Sequence, residues 1–99
     1  MSAGPMVQPF AARVVPPEEL THGQRAALVF IDGAKLVVKV RGGFGYRRHG
    51  AAISHVIGQS LLQRGLAETA LNPRLRCLQI KLTGAGAAVA AILRERSAP

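Results

Sequence analysis

Residues 26–41 run Ala-Ala-Leu-Val-Phe-Ile-Asp-Gly-Ala-Lys-Leu-Val-Val-Lys-Val-Arg. The first six are apolar and rich in β-branched and aromatic side chains, and they read as a strand. Asp32-Gly33 follows, a dipeptide strongly favoured in two-residue hairpin turns because both of its positions tolerate positive φ. Residues 35–41 then read as the return strand. There Leu36, Val38 and Val40 point one way and Lys35, Lys39 and Arg41 the other, with Val37 between them. One face of this hairpin is expected to feed a core and the other to carry a cationic stripe.

On the C-terminal side, Gly42-Gly43-Phe44-Gly45-Tyr46-Arg47-Arg48-His49-Gly50 is too glycine-rich for regular structure and reads as a loop. Residues 51–64 show helical spacing, with Ile53, Val56, Ile57, Leu61 and Leu62 forming one apolar stripe. Gly65 stands where a left-handed cap would end that helix, and Leu66 can close the capping contact. Residues 67–74, around Asn72-Pro73, read as a loop, because proline biases its predecessor away from helix. A third strand is expected over 75–82, with Leu78, Ile80 and Leu82 opposite Cys77, Gln79 and Lys81. Thr83-Gly84-Ala85-Gly86 leads into a last helix, about 86–96, whose Arg94 and Arg96 suit the negative end of its dipole.

On the N-terminal side, residues 1–24 hold four of the six prolines and no sustained period, and read as an extended arm ordered by a partner. The expected architecture is therefore α/β: a small three-stranded mixed sheet with two helices on one face, in the order β-β-α-β-α. The arm is 1–24 and the single domain 25–99.

Composition narrows the function. A chain of 99 residues supports one domain with a thin core. Thirteen Lys and Arg against five acids give a net charge of +8, which favours a polyanionic partner, nucleic acid before an acidic membrane surface. Ten of the thirteen are Arg, whose planar fork suits phosphate and base edges. The lone Cys77 cannot form an internal disulfide. No apolar run approaches a membrane span, and the first twenty residues lack the order of a secretory signal.

The stretch 41–50 is the leading candidate for RNA binding. Arg41, Arg47, Arg48 and His49 converge on a glycine-rich loop able to approach a ligand closely. Tyr46 and Phe44 are interleaved aromatics able to stack on an unpaired base, Phe44 alternatively covering the sheet edge. Lys81, Gly84 and Gly86 lie in a strand–turn–helix start that can offer backbone N–H groups to an anion; a close-packing turn explains the same glycines equally well. With Lys35 and Lys39 of the cationic stripe, these are the expected RNA-binding residues. No two acids are spaced as an acid–base pair, and His22, His49 and His55 share no metal-ligand spacing with Cys77. A non-enzyme is expected, with no metal, cofactor or small-molecule substrate.

With these motifs in view, the chain resembles the family of small-subunit ribosomal protein eleven, the platform protein of the small ribosomal subunit. The resemblance rests on Asp32-Gly33, the strand 35–41, Gly43-Phe44 with Arg47-Arg48, the helix 51–64 with Gly65, and Ile80-Lys81 with Gly84 and Gly86. It covers about residues 26–95. It implies a structural role, binding and positioning ribosomal RNA beside neighbouring ribosomal proteins. The family's Asn-Asn-Thr entry to the first strand is absent, alanines replace the Arg after the second glycine turn, and 67–74 looks inserted. The family's basic C-terminal tail has no counterpart before Pro99. Such shortening suits a diverged organellar ribosome better than a bacterial one; a mitochondrial ribosome is the expected location, with a bacterial or plastid ribosome as alternatives. The chain is also similar, over Ile80-Lys81-Leu82-Thr83-Gly84 and the alanine-rich segment that follows, to Alba proteins, which implies the alternative of a free, dimeric nucleic-acid-binding protein.

Overall fold

A computed structural model describes residues 15–97. After a 3-10 turn at Pro17–Glu19 come helix α1 (His22–Gly33), strands β1 (Val37–Val40), β2 (Gly43–Tyr46) and β3 (Gly50–Ser54), helix α2 (His55–Gln63), strands β4 (Ala67–Asn72) and β5 (Cys77–Leu82), and helix α3 (Gly84–Ser97). The α/β class holds. The sheet has five strands rather than three, in the order β3-β2-β1-β5-β4, and every neighbouring pair is antiparallel rather than mixed. Among the described residues three helices, not two, pack with it.

The expected first strand and its Asp-Gly turn are helix α1. Local capping overrides the β-branched run Val29-Phe30-Ile31. Thr21 Oγ1 accepts from the Gln24 N–H at 3.1 Å while Gln24 Oε1 accepts from the Thr21 N–H at 2.9 Å, a complete capping box. The buried positions Gln24, Ala27, Leu28 and Ile31 fall at helical spacing. Asp32 is therefore a last-turn residue, and its carboxylate pairs with Arg94 Nε of α3 at 2.6 Å. Leu20 and Pro17 are buried, so the end of the expected arm packs with the domain; residues 1–14 of that arm lie outside the described residues.

The glycine-rich stretch is not a loop but β2 and the turn before β3. Gly43 and Gly45 are buried because β3 runs so close that a Cβ on either would collide with the carbonyl oxygens of Ile53 or Gly50. A register shift between Phe44 and Gly45 marks a bulge there. The helix expected from residue 51 starts only at His55, since Ser54 caps it by accepting from the Ile57 N–H at 3.2 Å. Its end follows expectation: Gly65 has φ +75°, its N–H donates to the Leu62 carbonyl, and the Leu66 N–H donates to the Leu61 carbonyl. Leu61 and Leu66, joined by that motif, are both fully buried.

The expected loop 67–74 is strand β4, paired with β5 from Ala67↔Leu82 to Asn72↔Cys77. The core gathers Leu28 and Ile31 of α1, Val37, Phe44, Ile53 and Ile80 of the sheet, Leu61 of α2 and Val89 of α3. Gly58 lets α2 rest directly on the Phe44 ring, and Gly86 lets α3 start against the Leu66 carbonyl. A polar link crosses this layer, from Gln24 Nε2 to Ser60 Oγ at 3.0 Å.

Candidate nucleic-acid interface

Strand direction places the cations. Because β2 and β5 both run antiparallel to β1, the β1–β2 turn and the β4–β5 tip share one end of the sheet, together with the N-terminus of α2. The opposite end holds the β2–β3 turn, Lys35 and the start of α3. A six-residue strand separates the two ends by about 20 Å.

The first end carries Arg41, Arg74 and Arg76, all exposed. The tip that presents the last two is firmly built. The Asn72 side-chain oxygen accepts from the N–H groups of Arg74 and Leu75 at 3.0 and 3.1 Å, and the Arg76 N–H donates to the Asn72 carbonyl at 2.8 Å. Asn72 Nδ2 is itself held by Gln79 Oε1 at 3.0 Å. Arg76 has φ 55°, the single positive value outside glycine among the described residues. At the same end of the sheet, Val56 on the first turn of α2 is 75% exposed, and the cross-strand pair Leu71 and Leu78 of β4 and β5 is exposed as well. The positive end of the α2 dipole lies beside Arg41, where the His55 N–H donates to the Gly42 carbonyl at 3.1 Å.

The second end carries Lys35, Arg47, Arg48 and His49, all exposed. Tyr46 connects this turn to the helices, its ring 5.4 Å from Phe30 and 6.2 Å from His49. Arg64, at the C-cap of α2, adds an exposed charge.

The expected RNA-binding residues thus divide. Lys35, Tyr46, Arg47, Arg48, His49, Lys81 and Gly84 lie at or toward the second end, Arg41 at the first, and Lys39 between them on β1. Phe44 cannot stack on a base: it is 1% exposed beneath α2. Gly86 is buried, and the close approach it permits is to the Leu66 carbonyl. The first turn of α3 is closed instead by Thr83, whose Oγ1 accepts from the Gly86 N–H at 3.1 Å and donates to the Gly65 carbonyl at 2.6 Å. Arg64, Arg74 and Arg76 are not among the residues expected from sequence. For the last two a signal exists: Asn72-Pro73-Arg74-Leu75 is a turn composition between two short runs of alternating character.

Charge is partitioned sharply. Lys35, Lys39, Arg41, Arg47, Arg48, Arg64, Arg74, Arg76 and Lys81 face a single acid, Glu68, on the strands, turns and α2 cap. Arg25, Arg94 and Arg96 share the helical layer of α1, α3 and the 3-10 turn with Glu18, Glu19, Asp32 and Glu95. The two salt bridges among the described residues, Arg94–Asp32 and Arg96–Glu18, both lie in that helical layer. The backbone N–H of Glu18, and then Arg96, hold the Glu18 carboxyl below the ordinary value of 4.5.

Among the described residues no three His, Cys, Asp or Glu side chains gather to hold a metal, and no helix is long and apolar enough to cross a membrane. Compared with known protein families, curated proteins and solved structures, the chain shows no match.

Proposed function

We propose that this protein binds nucleic acid, without catalysis, along the cationic border of its sheet. The observation that carries the reading is the charge partition: nine cations face one acid there, and none of them is in a salt bridge among the described residues. About 20 Å of duplex carries roughly twelve phosphate charges, enough to meet both ends of the sheet at once. Arg41, Arg74 and Arg76 are the principal phosphate-binding residues, since the β1–β2 turn and the hydrogen-bonded β4–β5 tip present them at one end of the sheet. Arg47 and Arg48, beside Tyr46, supply the second group. Binding of this kind works by counterion release and shape, with no turnover.

A narrower proposal follows from the resemblance to small-subunit ribosomal protein eleven: a constituent of the small ribosomal subunit that positions ribosomal RNA beside neighbouring ribosomal proteins, in a mitochondrial, bacterial or plastid ribosome. It keeps the Gly65 cap and the Ile80-Lys81 strand leading to Gly84 as supports. It loses the Asp32-Gly33 hairpin and the glycine loop, which are helix and strand. The broader reading is therefore the conclusion, and a free nucleic-acid-binding protein satisfies it equally.

Fluorescence anisotropy with labelled single-stranded and duplex RNA and DNA tests it. Binding that weakens as salt rises is expected. Failure to bind any of the four at low salt refutes it. Co-sedimentation with ribosomal subunits at moderate salt tests the narrower proposal.

A further inference from the structure

We infer that the outer face of α1, with the adjoining flank of α3, is the interface of a homodimer. A chain of net charge +8 repels its own copies nearly everywhere. The exception is the helical layer, where three cations meet four acids and Arg94 and Arg96 are neutralised at 2.6 and 3.0 Å. That layer has a net charge of −1, so two copies can approach there with little repulsion.

That same layer has a largely apolar groove between α1 and α3, with Arg25, Ala26, Val29 and Phe30 on the α1 side and Leu93 and Ser97 on the α3 side. His22, Ala26, Val29 and Gly33 recur at helical spacing along α1, and this outward stripe carries no acid, Lys or Arg. Helix α3 has no charged residue from Gly84 to Leu93, yet Ala87, Ala88 and Ala91 are exposed. A helix apolar around its circumference is ordinarily covered on more than one side.

The face is also self-complementary. Arg25 lies near the start of α1 and Asp32 near its end, and Val29 lies close to their midpoint. A two-fold axis through Val29 sets the two α1 helices antiparallel, bringing Arg25 of each copy toward Asp32 of the other and opposing their dipoles. Two helices about 18 and 21 Å long, packed side by side, present on the order of 600 Å² per partner, the lower end for a specific interface. A dimer of micromolar affinity is the expected product, with both cationic borders left facing outward.

The test needs no nucleic acid, so it stands or falls separately from the function proposed above. Sedimentation equilibrium of the full chain at about 100 µM should find dimer. Raising salt should strengthen it, because screening relieves the repulsion between copies, whereas salt weakens nucleic-acid binding. Val29→Arg should weaken dimerisation at least about tenfold with unchanged circular dichroism. Should that variant fail to fold, cysteine cross-linking decides. In a Cys77→Ser background, Val29→Cys should oxidise rapidly to a disulfide-linked dimer, while Val56→Cys on exposed α2 should not. A wild-type monomer at that concentration overturns the inference, as does a dimer indifferent to Val29→Arg or cross-linking as fast at position 56 as at 29.

Discussion

Arg76→Gly separates the contribution of the β4–β5 tip to stability from its contribution to binding. At φ 55° an L side chain costs about 1–2 kcal/mol, because its Cβ crowds the following carbonyl. Glycine removes that cost but gives back about 0.5–1 kcal/mol through its freer unfolded chain. The folded state should therefore gain between about 0 and 1.5 kcal/mol, with Tm rising by roughly 4–8 °C per kcal/mol for a domain of this size. Binding should move the other way: removing one phosphate-binding charge lowers the log–log salt slope by about 0.9 for duplex DNA. Thermal unfolding and anisotropy titration read the two effects on one preparation. Arg76→Ala is the control, with the same loss of charge but no relief of strain. A destabilisation of Arg76→Gly by more than about 1 kcal/mol would make the Arg side chain a structural brace of the tip and overturn the strain assignment. An unmoved salt slope would remove Arg76 from the binding surface.

Leu61→Ala should cost about 2–5 kcal/mol in chemical denaturation, since Leu61 is fully buried and takes part in the α2 capping motif. Gly86→Ala should cost about 1–3 kcal/mol, because its Cβ meets the Leu66 carbonyl and α3 must shift to make room. Replacing Arg47 and Arg48 together with Ala should lower the salt slope by up to about two units while leaving the denaturation midpoint within error. Because the Glu18 carboxyl is held below 4.5 in the folded state, its pairing with Arg96 stabilises above that pH and is lost as pH falls through the lowered value. Arg96→Ala should move the Glu18 carboxyl back toward its ordinary value, read by its NMR titration, with the backbone hydrogen bond retaining part of the shift.

The parts of the fold legible in the sequence are those fixed by local chemistry. Gly65 ends its helix as expected because a left-handed residue there completes the bonds to Leu61 and Leu62. The strand expected over 75–82 forms from Cys77 to Leu82 with Ile80 buried as its alternation implies, whereas Leu78, expected on the same core side, is exposed. The departure at 26–33 has a physical cause. Val29-Phe30-Ile31 favours a strand intrinsically, whereas the Thr21–Gln24 capping box that decides for helix lies in a segment whose prolines suggest an arm. Such propensities differ by less than tertiary packing supplies. The glycines at 43 and 45 are equally ambiguous, since close strand approach and loop flexibility both select glycine. Arg47 and Arg48 are exposed as expected, whereas Phe44 belongs to the core because Gly58 brings α2 down onto its ring. Arg74 is hidden from a sequence reading that makes 67–74 a loop, and Arg76 from one that begins the strand at 75, because neither places the two on a tip between paired strands.

The exposed arginines at one end of the sheet hold the nucleic-acid backbone in the function proposed above. The salt dependence of duplex affinity, compared between the wild type and Arg41→Ala/Arg74→Ala/Arg76→Ala, examines that role without intermediaries. A steep wild-type slope is expected, reduced in the triple variant by between about two and three units, with affinity lowered similarly across sequences. A wild-type slope near zero, or a triple variant that binds with unaltered slope and affinity, would be incompatible with it.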